Sequence, residues 1–160
     1  MTSKRKQIKK IPISVFFSED QIPNEFKKIK FEEYSSYSVY KSNEEVLVNL
    51  SKISNLNALQ KNFQLLLIGM AIENYCESGN FYVDYFGNTK SSSKIFLLGW
   101  SLNNYAFDKY KSKKKNKNNT RIFHEFEKEI KSISESYFFT RDLINTPANI
   151  LGPKEIFQSA

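Results

Sequence analysis

The residues this 160-residue chain has least of are the first guide to its chemistry. It holds a single cysteine, Cys76, and a single histidine, His124. One cysteine cannot form an intrachain disulfide framework, and no zinc-spaced set of Cys and His can be assembled. A reducing, cytoplasmic setting is the default expectation. The five glycines form no phosphate-cradling loop. No apolar run approaches the ~20 residues that a membrane-spanning helix needs, so no membrane partner is expected. The basic start, Met1 to Lys10, followed by Ile11-Pro12-Ile13-Ser14-Val15-Phe16-Phe17, has the outline of a signal peptide. Its apolar part is short, contains Pro12, lacks a small-residue cleavage site and runs into Glu19-Asp20, so export is not expected. No internal repeat is visible.

Positive charge is plentiful but unevenly placed. The net charge of +7 comes largely from two segments. One is the tail with Lys4, Arg5, Lys6, Lys9 and Lys10, and the other holds Lys109, Lys111, Lys113, Lys114, Lys115, Lys117 and Arg121. Without them the body of the chain is slightly acidic. Such runs are ordinarily solvated segments. Nucleic-acid contact, which is not the favoured reading, would run through Lys113, Lys114 and Lys115 and would weaken steeply with salt.

The hydrophobic fraction of 40% with 26% charged suits a globular domain with a real core. Its periodicity alternates between two and 3.6 residues. Ile11 to Phe17 reads as a strand, with Pro12 tolerable near its start. Ser18 supplies N-cap chemistry for a short helix to about Lys28. Tyr34 to Lys41 and Glu44 to Leu50 read as a hairpin around Ser42-Asn43, with Tyr37, Val39, Val46 and Val48 facing inward. From Asn57 a helix carries Leu59, Phe63, Leu66, Leu67, Met70 and Tyr75 and ends near Gly79 as its C′ residue. Asn80 to Phe86 reads as a strand stopped by Gly87-Asn88. Ser91-Ser92-Ser93 caps an apolar helix from Lys94 to about Tyr110, with Ile95, Leu98, Trp100, Leu102, Tyr105, Ala106 and Phe107 on its stripe. A lysine- and asparagine-rich loop follows. Thr120 caps a long helix with Phe123, Phe126, Ile130, Ile133 and Tyr137 as its buried face. The sum is an α/β domain, with α+β as the alternative: a small mixed sheet flanked by helices and ending in a long linker helix.

Residue chemistry alone supplies no active site. His124 has no partner in view and reads as a packed or surface histidine. Cys76 at a helix end reads as a small core residue. Glu32-Glu33 and Glu44-Glu45 are adjacent pairs whose side chains diverge, so neither makes a shared metal site. Trp100 and the many Tyr and Phe residues fall at core positions rather than on a base-stacking platform.

The most informative stretch is Arg141-Asp142-Leu143-Ile144-Asn145-Thr146-Pro147-Ala148-Asn149, followed by Gly152-Pro153. A helix runs into Asn145 and is stopped by Pro147, which has no N–H and pushes Thr146 to an extended backbone. Gly152 as N-cap and Pro153 at the first helical position start another helix, which reads as unfinished at Ala160. This stretch resembles the segment that links the two domains of the leucyl (cytosol) aminopeptidase family. A second stretch, Leu98-Gly99-Trp100-Ser101-Leu102-Asn103-Asn104-Tyr105-Ala106-Phe107-Asp108-Lys109-Tyr110, resembles the family's Trp/Leu/Tyr/Phe/Tyr helix, with Asn103 where Gly is common.

The resemblance implies a parent enzyme that removes N-terminal residues, often leucine, from peptides. It implies two divalent metal ions, zinc or manganese, in a catalytic domain beyond this junction, with no catalytic or metal residue within residues 1–160. It further implies a cytoplasmic homo-hexamer acting on peptide substrates. The corresponding organisation is a basic tail at 1–10, an α/β domain at 11–119, a linker helix at 120–146 and the start of a catalytic domain at 147–160. Arg141, Asp142, Asn145, Pro147, Asn149 and Pro153 would be structural linker residues. The alternative is a module without catalysis that binds nucleic acid or a small ligand.

Overall fold

The structure is a computed structural model that describes residues 9–106, 119–147 and 149–159. Its sheet has six strands: β1 (Ile11–Phe16), β2 (Glu32–Glu33), β3 (Ser38–Lys41), β4 (Val46–Asn49), β5 (Ser78–Phe86) and β6 (Asn119–Phe123). Their order is β2-β3-β4-β1-β5-β6. The pairs β4–β1, β1–β5 and β5–β6 are parallel, while β2 and β3 add an antiparallel edge. The helices are α1 (Ala58–Cys76), α2 (Lys90–Asn103), α3 (Glu127–Asn145) and α4 (Pro153–Ser159). This is the α/β arrangement with a mixed sheet that the alternating periodicities predict.

Helix α1 connects β4 to β5, and α2 connects β5 to β6. Right-handed crossovers that step the same way across a sheet place both helices on one face. The main core lies under them. Ile13 and Val15 of β1, Val39, Val46, Val48 and Phe81 meet Leu65, Ile68, Ile72 and Cys76 of α1, Phe96, Leu97 and Trp100 of α2, and Ile130 of α3. On the opposite face Phe16, Ile22 and Leu47 form a smaller cluster with Phe26, Ile29, Phe31 and Tyr40. Alternation along β1 and β4 sends Ile13, Val15, Val46 and Val48 to one side and Phe16 and Leu47 to the other, as a two-residue pleat requires.

Several local expectations are corrected. The helix from Ser18 to Lys28 is a single 3-10 turn, Glu19–Gln21, without a side-chain bond from Ser18. Pro23 holds Ile22 extended, at ψ 118°. Gln21 instead accepts from the Phe17 amide at 2.6 Å and donates to the Gly87 carbonyl at 3.0 Å. The hairpin forms with shorter strands, because Tyr34 to Tyr37 is itself a turn with stacked rings 4.6 Å apart. Its loop is four residues long, with Ser42 Oγ accepting from the amides of Glu44 and Glu45 at 3.1 Å.

Helix α1 starts where predicted, with Asn57 accepting from the Gln60 amide at 2.9 Å, but only some of its apolar residues face the sheet. Leu65, Ile68, Gly69, Ile72, Glu73 and Cys76 are buried, whereas Leu59, Phe63 and Leu67 are exposed. The helix is apolar nearly all round, so a stripe read from part of it could fall on either side. Glu77, not Gly79, ends it with a positive φ of 58°, and Gly79 lies within β5.

Thr89, not the serine run, caps α2, accepting from the Ser92 amide at 3.2 Å. The helix stops at Asn103, so Tyr105 and Ala106 follow it rather than belong to it. Thr120 lies in β6 and caps nothing. Strand β6 was hidden because its Asn-Thr-Arg start lacks the apolar run of a buried strand, and Ile122 and Phe123 fit a helical stripe equally well. Helix α3 therefore begins only at Glu127. Its inward residues are Ile130 and Ser134, and Ile133 and Tyr137 are exposed.

Candidate functional site

Helices α1 and α2 approach each other closely at two glycines. A methyl group on Gly69 would overlap the Phe96 carbonyl oxygen and sit 3.0 Å from the Trp100 amide nitrogen. One on Gly99 would overlap the Leu66 carbonyl oxygen and sit 2.9 Å from its carbon. Each glycine thus admits the other helix's backbone, and Trp100, 1% exposed, packs its ring 5.5 Å from that of Phe81.

Beyond α2 the two motif stretches converge on one side chain, Tyr105. Its hydroxyl donates to Asp142 Oδ1 at 2.7 Å and accepts from Asn145 Nδ2 at 3.2 Å. The Arg141 guanidinium lies 4.2 Å from the centre of the Tyr105 ring and 5.7 Å from that of Tyr137. Phe138 packs on the ring at 5.3 Å. Burial, and then the hydrogen bond to Asp142, raise the Tyr105 pKa above its usual value, which keeps the phenol protonated and donating. Arg141, Asp142 and Asn145 are therefore brought together at the last turn of α3 around the segment that follows α2.

The junction is built as its residues dictate. Thr146 is extended at ψ 128°, and Pro147 accepts at its carbonyl from the amides of Ile150 and Leu151 at 2.9 and 3.0 Å. Pro153 opens α4, and Glu155 accepts from the Gly152 amide at 3.0 Å in the manner of a capping box. Asn149 is exposed in the turn between them. Lys113, Lys114 and Lys115 lie outside the described residues, and Arg121 at their far end pairs with Glu127 at 3.3 Å.

Sequence reasoning missed Glu73. It is 1% exposed and accepts from the Asn103 amide and the Thr120 hydroxyl. It thereby ties α1 to the end of α2 and to the start of β6, on either side of residues 104–119. Its signal was available: Glu73 is the one acidic residue in α1, flanked by Ile72 and Cys76 on the buried face. Asn103, the last residue of α2, is the residue that meets it there.

His124 sits between β6 and α3, half-buried, with Nδ1 accepting from the Phe126 amide at 3.1 Å. Burial lowers its pKa, and Glu127 acts weakly the other way, so the ring is neutral at pH 7. Cys76 is fully buried, and burial pushes its thiol up to about 12, which leaves it without thiolate character. A cleft of about 350 Å³ runs between α2, β6 and α3 over Trp100, and its edge carries the Arg121–Glu127 ion pair. Among the described residues no three His, Cys, Asp or Glu side chains are placed to hold a metal ion. Among the described residues the arrangement positions helices against one another.

No family model matches the chain. A probable cytosol aminopeptidase from Phytoplasma mali is 35% identical over 103 residues, covering 54% of this chain and 21% of that protein. One from Sinorhizobium fredii is 35% identical over 82 residues, covering 42% of this chain and 16% of that protein. The crystal structure of cytosol aminopeptidase from Coxiella burnetii has the same fold, with a TM-score of 0.66 at 20% identity, over 96% of this chain and 35% of that one. The chain thus spans about a fifth of the length of the curated relatives it matches.

Proposed function

We infer that this chain, a relative of the leucyl (cytosol) aminopeptidases, is the N-terminal domain and interdomain linker of a metal-dependent peptidase that removes N-terminal residues from peptides. The observation that carries this reading is the meeting of the two family-like stretches at Tyr105, where Arg141, Asp142 and Asn145 lock the end of the linker helix. A lone Asn-x-Pro-x-Asn turn would be a helix stop and nothing more. Its attachment to the segment after α2 gives the turn a task, which is to set the direction in which the chain leaves the sheet domain at Pro147. The 35% identity to two cytosol aminopeptidases supports the same reading.

The described residues do not fit a two-metal centre, since no suitable carboxylate or imidazole cluster is present among them. No step of hydrolysis is assigned to this chain. The metal ions, zinc or manganese, and the peptide site belong to the catalytic domain that the reading places after the junction, in a cytoplasmic hexamer. No helix among the described residues is long and apolar enough to cross a membrane.

The experiment compares two proteins on a leucine chromogenic amide with added manganese. One is residues 1–160, and the other is the product of the whole reading frame. Turnover is expected from the second alone. Activity in residues 1–160, or a whole product inert with every divalent metal, would overturn the reading.

A further inference from the structure

We propose that the cleft between α2, β6 and α3 is a binding site for a free α-amino acid with an aliphatic side chain. The cleft has a volume of about 350 Å³, within the range of small-molecule sites. Its lining divides into an apolar part, with Trp100, Ile122, Ile130 and Phe138, and a charged part, with Arg121, Glu127, Lys131 and Glu135. Trp100 carries the observation that points to a ligand. Its indole Nε1 is the one buried side-chain polar atom among the described residues without a hydrogen-bond partner. An indole N–H can only donate, and a buried donor left unpaired is destabilising, so an acceptor delivered into the cleft would satisfy a need the fold leaves open.

The charged groups decide which acceptor. Arg121 pairs with Glu127 at 3.3 Å and Lys131 with Glu135 at 3.7 Å. Both contacts are longer than a tight charge-assisted bond, and all four side chains are more than half exposed, so the pairs are weak and exchangeable. A plain anion would be repelled by Glu127 and Glu135. A plain cation would be repelled by Arg121 and Lys131 and would leave the indole unsatisfied. A zwitterion suits both signs. Its carboxylate accepts from Trp100 and Arg121, its ammonium donates to a glutamate, and the apolar part of the lining receives an aliphatic side chain. Such a ligand braces α3 against α2 and β6. The inference stands on the cleft alone and holds whether or not the parent protein is a peptidase.

Trp100 is the only tryptophan of the chain, so its emission reports the cleft directly. The test titrates the 160-residue chain with L-leucine to about 20 mM and follows both Trp100 fluorescence and the heat of binding. A saturable change in both is expected. Three analogues each lack one feature: glycine has no side chain, leucinamide no carboxylate and isocaproate no ammonium. Each should bind at least about tenfold more weakly. Arg121→Gln should weaken leucine binding about tenfold. Trp100→Phe, followed by heat alone, should weaken it by a similar factor. Circular dichroism checks that each variant keeps the wild-type helix content, and Arg121, being exposed, decides the matter if Trp100→Phe does not fold. No saturation by leucine in this range, an analogue that binds as tightly as leucine, or unchanged affinity in either folded variant would overturn the proposal.

Discussion

The close seam between α1 and α2 makes a prediction whose sign opposes intrinsic helix propensity. Gly99 lies inside α2, where replacing glycine by alanine ordinarily stabilises a helix by about 1 kcal/mol. Here the added methyl group overlaps the Leu66 carbonyl oxygen, with the Leu66 carbonyl carbon at 2.9 Å and its Cα at 3.1 Å. These are backbone atoms of a packed helix and cannot rotate away. The two helices must part by roughly an ångström, and a gap of that size forfeits a quarter to a half of each dispersion contact along the seam. The contacts at stake are those of Leu65, Ile68, Ile72, Phe96, Leu97 and Trp100, all 2% exposed or less. Overpacking of this kind costs about 1–3 kcal/mol and occasionally more. We expect Gly99→Ala to destabilise by about 3 kcal/mol, lowering Tm by roughly 10 °C for a chain of this size. Gly69→Ala should behave alike, because it meets Phe96 in the same way. The double variant should cost less than the sum, since one separation of the helices relieves both overlaps. Urea unfolding followed by circular dichroism measures all three. A Gly99→Ala protein as stable as the parent, or more so, would refute the close-approach argument.

The remaining predictions concern single groups. Glu73→Leu leaves the Asn103 amide and the Thr120 hydroxyl without their buried acceptor, and should cost about 3 kcal/mol in urea unfolding. Replacing all three by apolar residues should recover part of that loss. Tyr105→Phe keeps the ring under Arg141 but removes the hydroxyl shared by Asp142 and Asn145. It should change global stability by less than about 1 kcal/mol, yet speed amide hydrogen exchange in the last turn of α3. An unchanged exchange rate there would deny Tyr105 its locking role. Because burial depresses the folded pKa of His124, the unfolded chain binds the proton more readily. The His124 contribution is therefore present above the unfolded pKa of about 6.5 and is lost as pH falls through the lower folded value. His124→Asn should flatten this part of the stability profile, measured as urea midpoints from neutral pH downwards. Cys76, buried and with its thiol pushed up to about 12, should resist a thiol reagent at pH 8 and react fully only in denaturant.

How much of the fold could be read beforehand depended on whether a segment's signal was local. Strands β1 and β5 and the stop at Pro147 were legible because alternation, β-branching and the missing proline N–H act within a few residues. The buried face of α1 was not. Seen alone, Leu59-Phe63-Leu67 is as good a stripe as Leu65-Ile68-Ile72, and only the sheet beneath decides between them. Strand β6 was missed for a related reason. Its pairing with β5 comes from a partner about forty residues away, and nothing within Asn119-Thr120-Arg121 announces it. The helix expected from Ser18 is cut to one turn because Pro23 holds Ile22 extended, a restriction that outweighs a favourable cap.

The candidate site was legible in another sense. Its residues were singled out as a motif, but their task was not. Arg141, Asp142 and Asn145 fall together at the C-terminal end of α3, a spacing that in isolation suggests only a polar helix end. Their common target, Tyr105, lies 36 residues before the first of them, across strand β6. Glu73 completes the same logic from the opposite side. By accepting from Asn103 and Thr120 it fixes the two points where the chain leaves α2 and re-enters the sheet, so Tyr105 emerges from a held base. Three short-range facts then act in series. The glycine seam sets α2 against α1, the buried carboxylate sets the end of α2 against β6, and Tyr105 sets the last turn of α3 against both. The direction of the chain at Pro147 is thereby referred back, through side chains that are polar at each step after the seam, to the apolar core of the sheet.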